Sequence, residues 1–280
     1  MHKFLLYLNM FLLSWVIARA QVHNSHQAPR PSDFYETISA LEQRGRNAND
    51  RQAVLRSLHQ MWASYDVLRR PEIAYLMCQL GDTSEVEAIS KAFFAGDYDT
   101  GREVDGDAAA GMNATDAAFR MLILYGTPKE HQGLLAFLKL PDDPLRKAGN
   151  LCETLLGLSS AQSGPGLPKG YPKEHFPLEL AVACLDYTNE EETVVSAPNG
   201  SVVSQGLIYN DDSAEGSITV SGVKEIYTLR GCDHAAQAIQ NITGKDFGYR
   251  PSQQLPRRNA AIGAIKKWWH EVHSTGSSEQ

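Results

Sequence analysis

The chain has 280 residues, of which 42% are hydrophobic and 21% are charged. This is the composition of a globular protein, and it excludes disorder over the whole length. The formal net charge is −7 and the sequence contains no block of Lys and Arg residues, which argues against binding to nucleic acid or to an anionic membrane surface.

Residues 1–20 have the pattern of a cleaved signal peptide. A short basic start is followed by an almost wholly apolar run over residues 4–18, and Ala18-Arg19-Ala20 then supplies the small residues that a signal peptidase recognises. The apolar run is shorter than the ~20 residues that a transmembrane helix needs. We therefore expect a periplasmic or secreted protein that starts at Gln21 and is not stably inserted in a membrane. Residues 21–32 are expected to be a flexible lead-in.

Apolar residues recur at helical spacing from Phe34 almost to the C-terminus. The spacing predicts helices over residues 34–41, 54–65, 70–81, 85–94, 114–125, 129–138, 144–157, 175–187, 232–244 and 256–273. Gly126-Thr127-Pro128 is expected to join two of them as a helical hairpin. The sequence thus predicts one mainly α domain over residues 33–273, followed by a polar tail over residues 274–280.

One region breaks the helical period. Residues 188–228 are rich in Thr, Val, Ser and Gly, and "SVVSQGLIY" and "SITVSGVKEIYTL" predict two short strands around Asn210-Asp211-Asp212. We expect a small β-like insertion between helices.

Several predicted helices share an internal pattern of small residues, then Leu or Ile, then Gly. They end at Gly81, Gly126, Gly157 and Gly244. The first three endings are separated by roughly 30 to 45 residues, which is the period range of stacked helical-pair repeats. An irregular helical bundle with chance spacing is the alternative, because helices that end in Gly are common.

The segment "CDHAAQAIQNITGKDFGY", followed by "RRNAAIGAIKKWW", resembles the C-terminal end of bacterial HEAT-like helical-repeat proteins. The resemblance covers roughly residues 229–270, and the helices before it agree only in general pattern. It implies an α-solenoid of HEAT-like helical pairs, from which the insertion at 188–228 departs. It implies no activity and no catalytic residue.

The same segment is expected to cap the open end of the repeat stack. Gly244 can end its helix with a positive φ, and Phe247 and Tyr249 would then fold back over the last apolar face. The closing side chains are expected to be Ile262, Ile265, Trp268 or Trp269, and Val272. Ligand binding by these aromatic residues is the alternative.

The acidic segment "GDYDTGREVDGDAAAG" is the strongest polar cluster in the sequence. Its carboxylates make Asp97, Asp99, Asp105 and Asp107 weak candidates for a Ca²⁺ site, since Ca²⁺ takes six to eight oxygen ligands. The spacing is not that of an EF-hand, and a solvated acidic loop that binds no metal is the favoured interpretation.

Four cysteines, Cys78, Cys152, Cys184 and Cys232, each lie in an apolar helical run. Such cysteines are typically buried free thiols, although export would permit disulfides and the pairing is left open. Asp233-His234 could suggest acid–base chemistry, but an acidic residue in the first turn of a helix explains Asp233.

No catalytic or cofactor motif such as G-x-S-x-G, a P-loop or HExxH occurs. The sequence therefore predicts an exported helical-repeat protein, without catalytic activity or cofactor, that binds another protein or peptide as a scaffold or adaptor. Two alternatives remain open: an envelope inhibitor or immunity protein, and a hydrolase with a site near the 188–228 insertion.

Overall fold

The computed structural model describes residues 31–98, 103–104, 107, 109–140, 149–160, 165–196, 202–206 and 225–275. Over these residues the protein is mainly helical, as predicted. The helices are α1 (Pro31–Gly45), α2 (Arg51–Ser64), α3 (Arg70–Gln79), α4 (Val86–Ala95), α5 (Ala110–Tyr125), α6 (Pro128–Phe137), α7 (Gly149–Ser159), α8 (Leu178–Cys184), α9 (Gly231–Thr243) and α10 (Leu255–Thr275). A 3₁₀ turn covers Lys173–His175.

Four helices pack side by side in chain order, and we call them the central row: α3, α5, α7 and α9. Helix α3 packs on α5, α5 on α7, and α7 on α9. Helices α2, α4 and α8 pack on the row members that directly follow them in sequence, whereas α6 contacts α5 and α8. Helix α10 packs on α9, at the end of the row.

Two clusters of buried apolar residues meet at α3. The N-terminal cluster joins α1, α2 and α3 through Phe34, Leu58 and Ile73, among others. The larger cluster extends from α3 to α10 and includes Ala74 and Cys78 on the other side of α3. Because α3 is buried on two sides, only a narrow strip of its surface is exposed to solvent.

Small residues allow the last two helices of the row to approach closely. Ala235, Ala236 and Ala238 of α9 are fully buried. A Cβ atom added at Gly231 would overlap the Tyr187 ring and lie 3.1 Å from the Sγ atom of Cys152 on α7. A larger residue at position 231 would therefore push α9 away from its neighbours.

The predicted hairpin between α5 and α6 is confirmed. Thr127 is the N-cap of α6, and its side chain accepts a hydrogen bond from the Lys129 backbone N–H at 3.2 Å. The Glu130 carboxylate accepts one from the Thr127 N–H at 3.0 Å. This reciprocal pair satisfies N–H groups that have no partner inside the helix, and it fixes the turn between the two helices.

The β region contains three described strands: β1 (Glu190–Ser196), β2 (Val202–Gly206) and β3 (Glu225–Arg230). They form one antiparallel sheet in the order β2-β1-β3. Strand β2 lies within the first predicted segment, and β3 overlaps the end of the second and extends one residue beyond it. Strand β1 was not predicted, since its three successive Glu residues are unfavourable in strands. The turn predicted at 210–212 lies outside the described residues.

Several predicted boundaries differ from the structure. Helix α1 begins at Pro31, inside the expected flexible lead-in, because Pro fits the first turn of a helix. The helix predicted over 175–187 is a 3₁₀ turn followed by the short helix α8. Pro177 lacks an N–H donor and interrupts it. Helix α7 ends at Ser159, and Pro144, its predicted start, lies outside the described residues.

Within the described ranges, no helix is both long and apolar enough to cross a membrane.

Candidate binding surface

The helices of the central row carry partly exposed polar side chains between their buried positions, and we call these residues the polar face. It comprises Glu72, Tyr75 and Gln79 on α3; Asn113, Asp116 and Arg120 on α5; Ser159 on α7; and Gln237 and Asn241 on α9. On α3 and α5 these residues recur every three or four positions. That spacing places them along one side of each helix.

Contacts between neighbouring helices accompany the polar face at both ends of the row. The rings of Tyr75 on α3 and Tyr125 on α5 are 6.4 Å apart, centroid to centroid. At the other end of the row, the Asn241 Nδ2 atom donates to the Ser159 Oγ atom at 3.0 Å, and Gln237 donates to Asn241 at 3.0 Å. Polar side chains of α7 and α9 therefore contact each other across the boundary between the two helices.

Tyr35 of α1 connects the N-terminal helix to the polar face. Its hydroxyl accepts hydrogen bonds from Arg69 Nη1 and from Asn113 Nδ2, both at 2.7 Å, and donates one to Asp107 Oδ2 at 3.1 Å. The Arg69 guanidinium, whose side chain is 3% exposed, also lies 2.9 Å from the Asp107 carboxylate. It stacks over the rings of Phe34 and Tyr35. Sequence reasoning missed this cluster, because Tyr35 and Asp107 are far apart in the chain.

Glu72 is the most perturbed acid of the polar face. Its Oε1 atom is buried and has no hydrogen-bond partner among the described residues. Burial raises the pKa of Glu72 to about 7, with the positive charges of Arg69 and Arg120 opposing this and the negative charges of Asp107 and Asp116 adding to it. At neutral pH this side chain is therefore divided between its protonated and ionised forms.

Asp116 and Arg120 form an ion pair one turn apart on α5. Burial raises the pKa of Asp116, and its contacts with Arg120 and with Thr154 of α7 act in the opposite direction. The pair lies close enough to Tyr75 for both charges to act on its hydroxyl. Tyr75, Glu72 and the α5 pair thus form one continuous patch.

Of the four Ca²⁺ candidates, Asp97 and Asp107 are described, whereas Asp99 and Asp105 lie outside the described residues. The Asp107 carboxylate accepts hydrogen bonds from the Ala109 N–H and from Tyr35, and it pairs with Arg69. Burial alone would raise the pKa of Asp107, but these contacts lower it. Among the described residues, no group of three or more His, Cys, Asp or Glu side chains is placed to hold a metal ion. The Ca²⁺ site stays a prediction.

The predicted cap begins at Gly244, which ends α9 with a φ of +67°. Gln240 holds the chain that follows, although sequence reasoning did not single it out. Its Oε1 atom accepts the N–H groups of Phe247 at 3.0 Å and Tyr249 at 3.2 Å, and its Nε2 atom donates to the Tyr249 carbonyl at 3.2 Å. Tyr249 is almost fully buried.

The aromatic residues of α10 occupy two environments. The ring of Trp268 lies 5.3 Å from that of Phe247, whereas Trp269 stacks on His273 within α10. Ile262 and Ile265 are buried, as expected for closing side chains. The same expectation for Val272 is wrong, because Val272 is 50% exposed and lies near the end of the helix.

Asp233 joins β3, α9 and α10. Its buried carboxylate accepts the Arg230 N–H at 3.0 Å and lies 2.9 Å from Arg230 Nε and 2.7 Å from Arg258 Nη1. Arg258 also donates to the Thr228 carbonyl at 2.9 Å. Asp233 is in the first turn of α9, as predicted, but its two arginine partners were not foreseen. Most side chains of 188–228 lie outside the described residues, so the hydrolase alternative stays untested.

All four cysteines are buried thiols, as predicted. Burial raises the pKa of Cys78 to about 12 and that of Cys232 to about 11. Thiols with such pKa values are almost wholly protonated near neutral pH and are poor nucleophiles.

A scan against protein-family models, a search of curated proteins and a search of solved structures each found no match. Inference about function therefore depends on the polar face and on the packing of the helices.

Proposed function

We propose that this chain is an exported α-solenoid of HEAT-like helical pairs that binds another protein or peptide along the polar face, as a scaffold or adaptor. Support for the architecture comes from the central row, in which each helix packs on the next, and from companion helices on α3, α5 and α9. Helical pairs that stack in this way share a continuous core and leave one side of the row for binding. The C-terminal segment that resembles HEAT-like proteins ends the row.

The observation that carries the proposal is the composition of the polar face. It combines Tyr and Arg side chains, which are frequent anchors of protein interfaces, with the amides of Gln79, Asn113 and Gln237. An amide side chain can donate and accept hydrogen bonds at the same time. A row of such groups suits the backbone of an extended peptide, which presents both N–H and C=O groups.

The groups around Glu72 also favour binding over catalysis. Those that act on it are two arginines and two aspartates. Each aspartate is already paired with one of the arginines, and such pairs can orient a charged side chain of a partner. We therefore assign no catalytic role to the raised pKa of Glu72, although perturbed acids do cluster at functional sites of both kinds.

Photo-crosslinking tests the proposal. A photoreactive phenylalanine analogue would be placed at Asn113 or at Gln237 of the polar face, and the matched controls would carry it at Glu87 or Lys91, which are exposed on α4. After illumination in an extract of the source cells, we expect one discrete adduct from both polar-face positions and none from α4. Equal adducts from the α4 positions, or none from the polar face, would contradict the proposal.

A further inference from the structure

Glu72 is within electrostatic range of two ion pairs that are already complete. Arg69 pairs with Asp107 at 2.9 Å, and Arg120 pairs with Asp116. All four groups act electrostatically on Glu72, yet within the described residues none of them forms an ion pair with it. When Glu72 is ionised, this group of five side chains therefore carries one negative charge in excess.

A buried carboxyl oxygen without a donor is unfavourable, because it has lost water and gained no hydrogen bond. The Glu72 Oε1 atom is in this position. A proton bound to Glu72 removes this unfavourable free energy, and so does a cation that contacts the ionised carboxylate. The second route requires a partner that brings a positive charge to the polar face.

The surroundings of Glu72 suit a cationic side chain with a long apolar stem. Tyr75 lies one turn further along α3, and its ring and that of Tyr125 are 6.4 Å apart. A third ring, that of Tyr171, lies 6.2 Å from Tyr125. Aromatic faces attract cations and also cover the methylene groups of Lys and Arg. Tyr35 of α1 is also near Glu72, whose charge acts on it, and its hydroxyl is occupied by Arg69, Asp107 and Asn113.

We propose that Glu72 is the docking point for a Lys or Arg side chain of the bound segment, which enters between the two ion pairs and lies against the Tyr75 and Tyr125 rings. The inference rests on the proposed function and specifies the chemistry of its partner. The net charge of −7 over the whole chain would attract a basic segment at long range as well.

The test uses a displayed library of random 12-residue peptides, panned in parallel on the purified protein, on Glu72→Gln and on Glu87→Gln. Glu87 is an exposed acid on α4 and serves as the matched control. Peptides enriched by the wild-type protein are expected to share one Lys or Arg. Their affinity is expected to fall about tenfold or more in Glu72→Gln, since one partner of a desolvated charge pair is lost, and to stay unchanged in Glu87→Gln.

A double-mutant cycle makes the result specific to this contact. Replacing the shared Lys or Arg of an enriched peptide by Gln should weaken binding to the wild-type protein but have little further effect on Glu72→Gln. Enriched peptides without a basic residue, bound equally by both proteins, would overturn the inference and leave the proposed function standing. If no peptide is enriched, the inference is also wrong, whereas the proposed function fails only if the crosslinks at Asn113 and Gln237 are absent too.

Discussion

The Nη1 atom of Arg258 on α10 lies 2.7 Å from the Oδ2 atom of Asp233 on α9, and both side chains are buried. Arg230 approaches the same carboxylate with its Nε atom at 2.9 Å. One carboxylate thus pairs with two guanidinium groups at the junction of β3, α9 and α10. This contact ties the last helix to the row.

We therefore expect Asp233→Asn to lower the free energy of unfolding by about 3–5 kcal/mol, because it leaves two arginines without their buried counter-charge. Urea unfolding followed by circular dichroism measures this. The matched control is Asp246→Asn, which breaks an exposed pair with Arg250 and should have a much smaller effect, because water screens exposed charges. Similar losses for both variants would show that Asp233 does not hold the junction.

Gln240 should contribute measurably to the cap through its bonds to the Phe247 and Tyr249 backbone. Replacing it by Ala removes the acceptor of two N–H groups and is expected to cost about 1–3 kcal/mol. Hydrogen exchange at those two amides should accelerate as well. Gln237→Ala is the control, since its side chain makes a bond only to Asn241 among the described residues. Unchanged exchange at residues 247 and 249 would contradict the role of Gln240.

The raised pKa of Glu72 predicts a pH dependence of stability. Its folded pKa of about 7 lies above its ordinary value of 4.5, so between these pH values the folded protein holds a proton that the unfolded chain releases. Stability from this group is therefore complete below pH 4.5 and falls as the pH rises to 7. Glu72→Gln should be more stable than the wild type above pH 7, by up to about 3 kcal/mol, and similar to it at pH 4.

Unfolding free energies at pH 4, 6 and 8 measure this difference, with Glu87→Gln as a control whose effect should not change with pH. A difference between Glu72→Gln and wild type that is constant across the three pH values would mean that Glu72 titrates normally in the folded protein.

Two glycines offer a matched test of helix packing. Gly231→Ala places a Cβ atom into the Tyr187 ring and near Cys152, and it should cost about 1–3 kcal/mol. Gly263→Ala on α10 meets nothing within 4 Å and should stabilise the protein by about 0.5–1 kcal/mol, because Ala is the better helix former. Thermal unfolding of the two variants should shift in opposite directions. An unchanged or raised unfolding temperature for Gly231→Ala would show that α9 has room to move.

The predicted signal peptide is tested by the mass and location of the protein recovered from its source cells. We expect a chain that starts at Gln21, found outside the cytoplasm. Replacing Ala18 and Ala20 by Gln should prevent cleavage, since a signal peptidase requires small residues at these positions. Recovery of an uncleaved chain from the cytoplasm would contradict export.

The sequence by itself determined where most helices lie. Apolar spacing depends only on local geometry, so α2 to α6 were predicted to within a few residues. Gly244 marked a helix end correctly, and Gly126-Thr127-Pro128 marked the connection between α5 and α6. Burial of the cysteines followed in the same way, because each lies on the apolar side of its helix. The errors occurred where a neighbouring strand or a single Pro decided the conformation, at β1 and at Pro177.

Only the tertiary structure decided which polar residues meet. Tyr35 and Asp107 form a hydrogen bond across 72 positions of the chain, and no local pattern specifies such a pair. The same is true of Arg258 and Asp233. The pKa of Glu72 depends on charges from two other segments and on how much water the surrounding helices remove. Neither can be read from the local sequence, in which Glu72 looks like any other exposed acid on a helix.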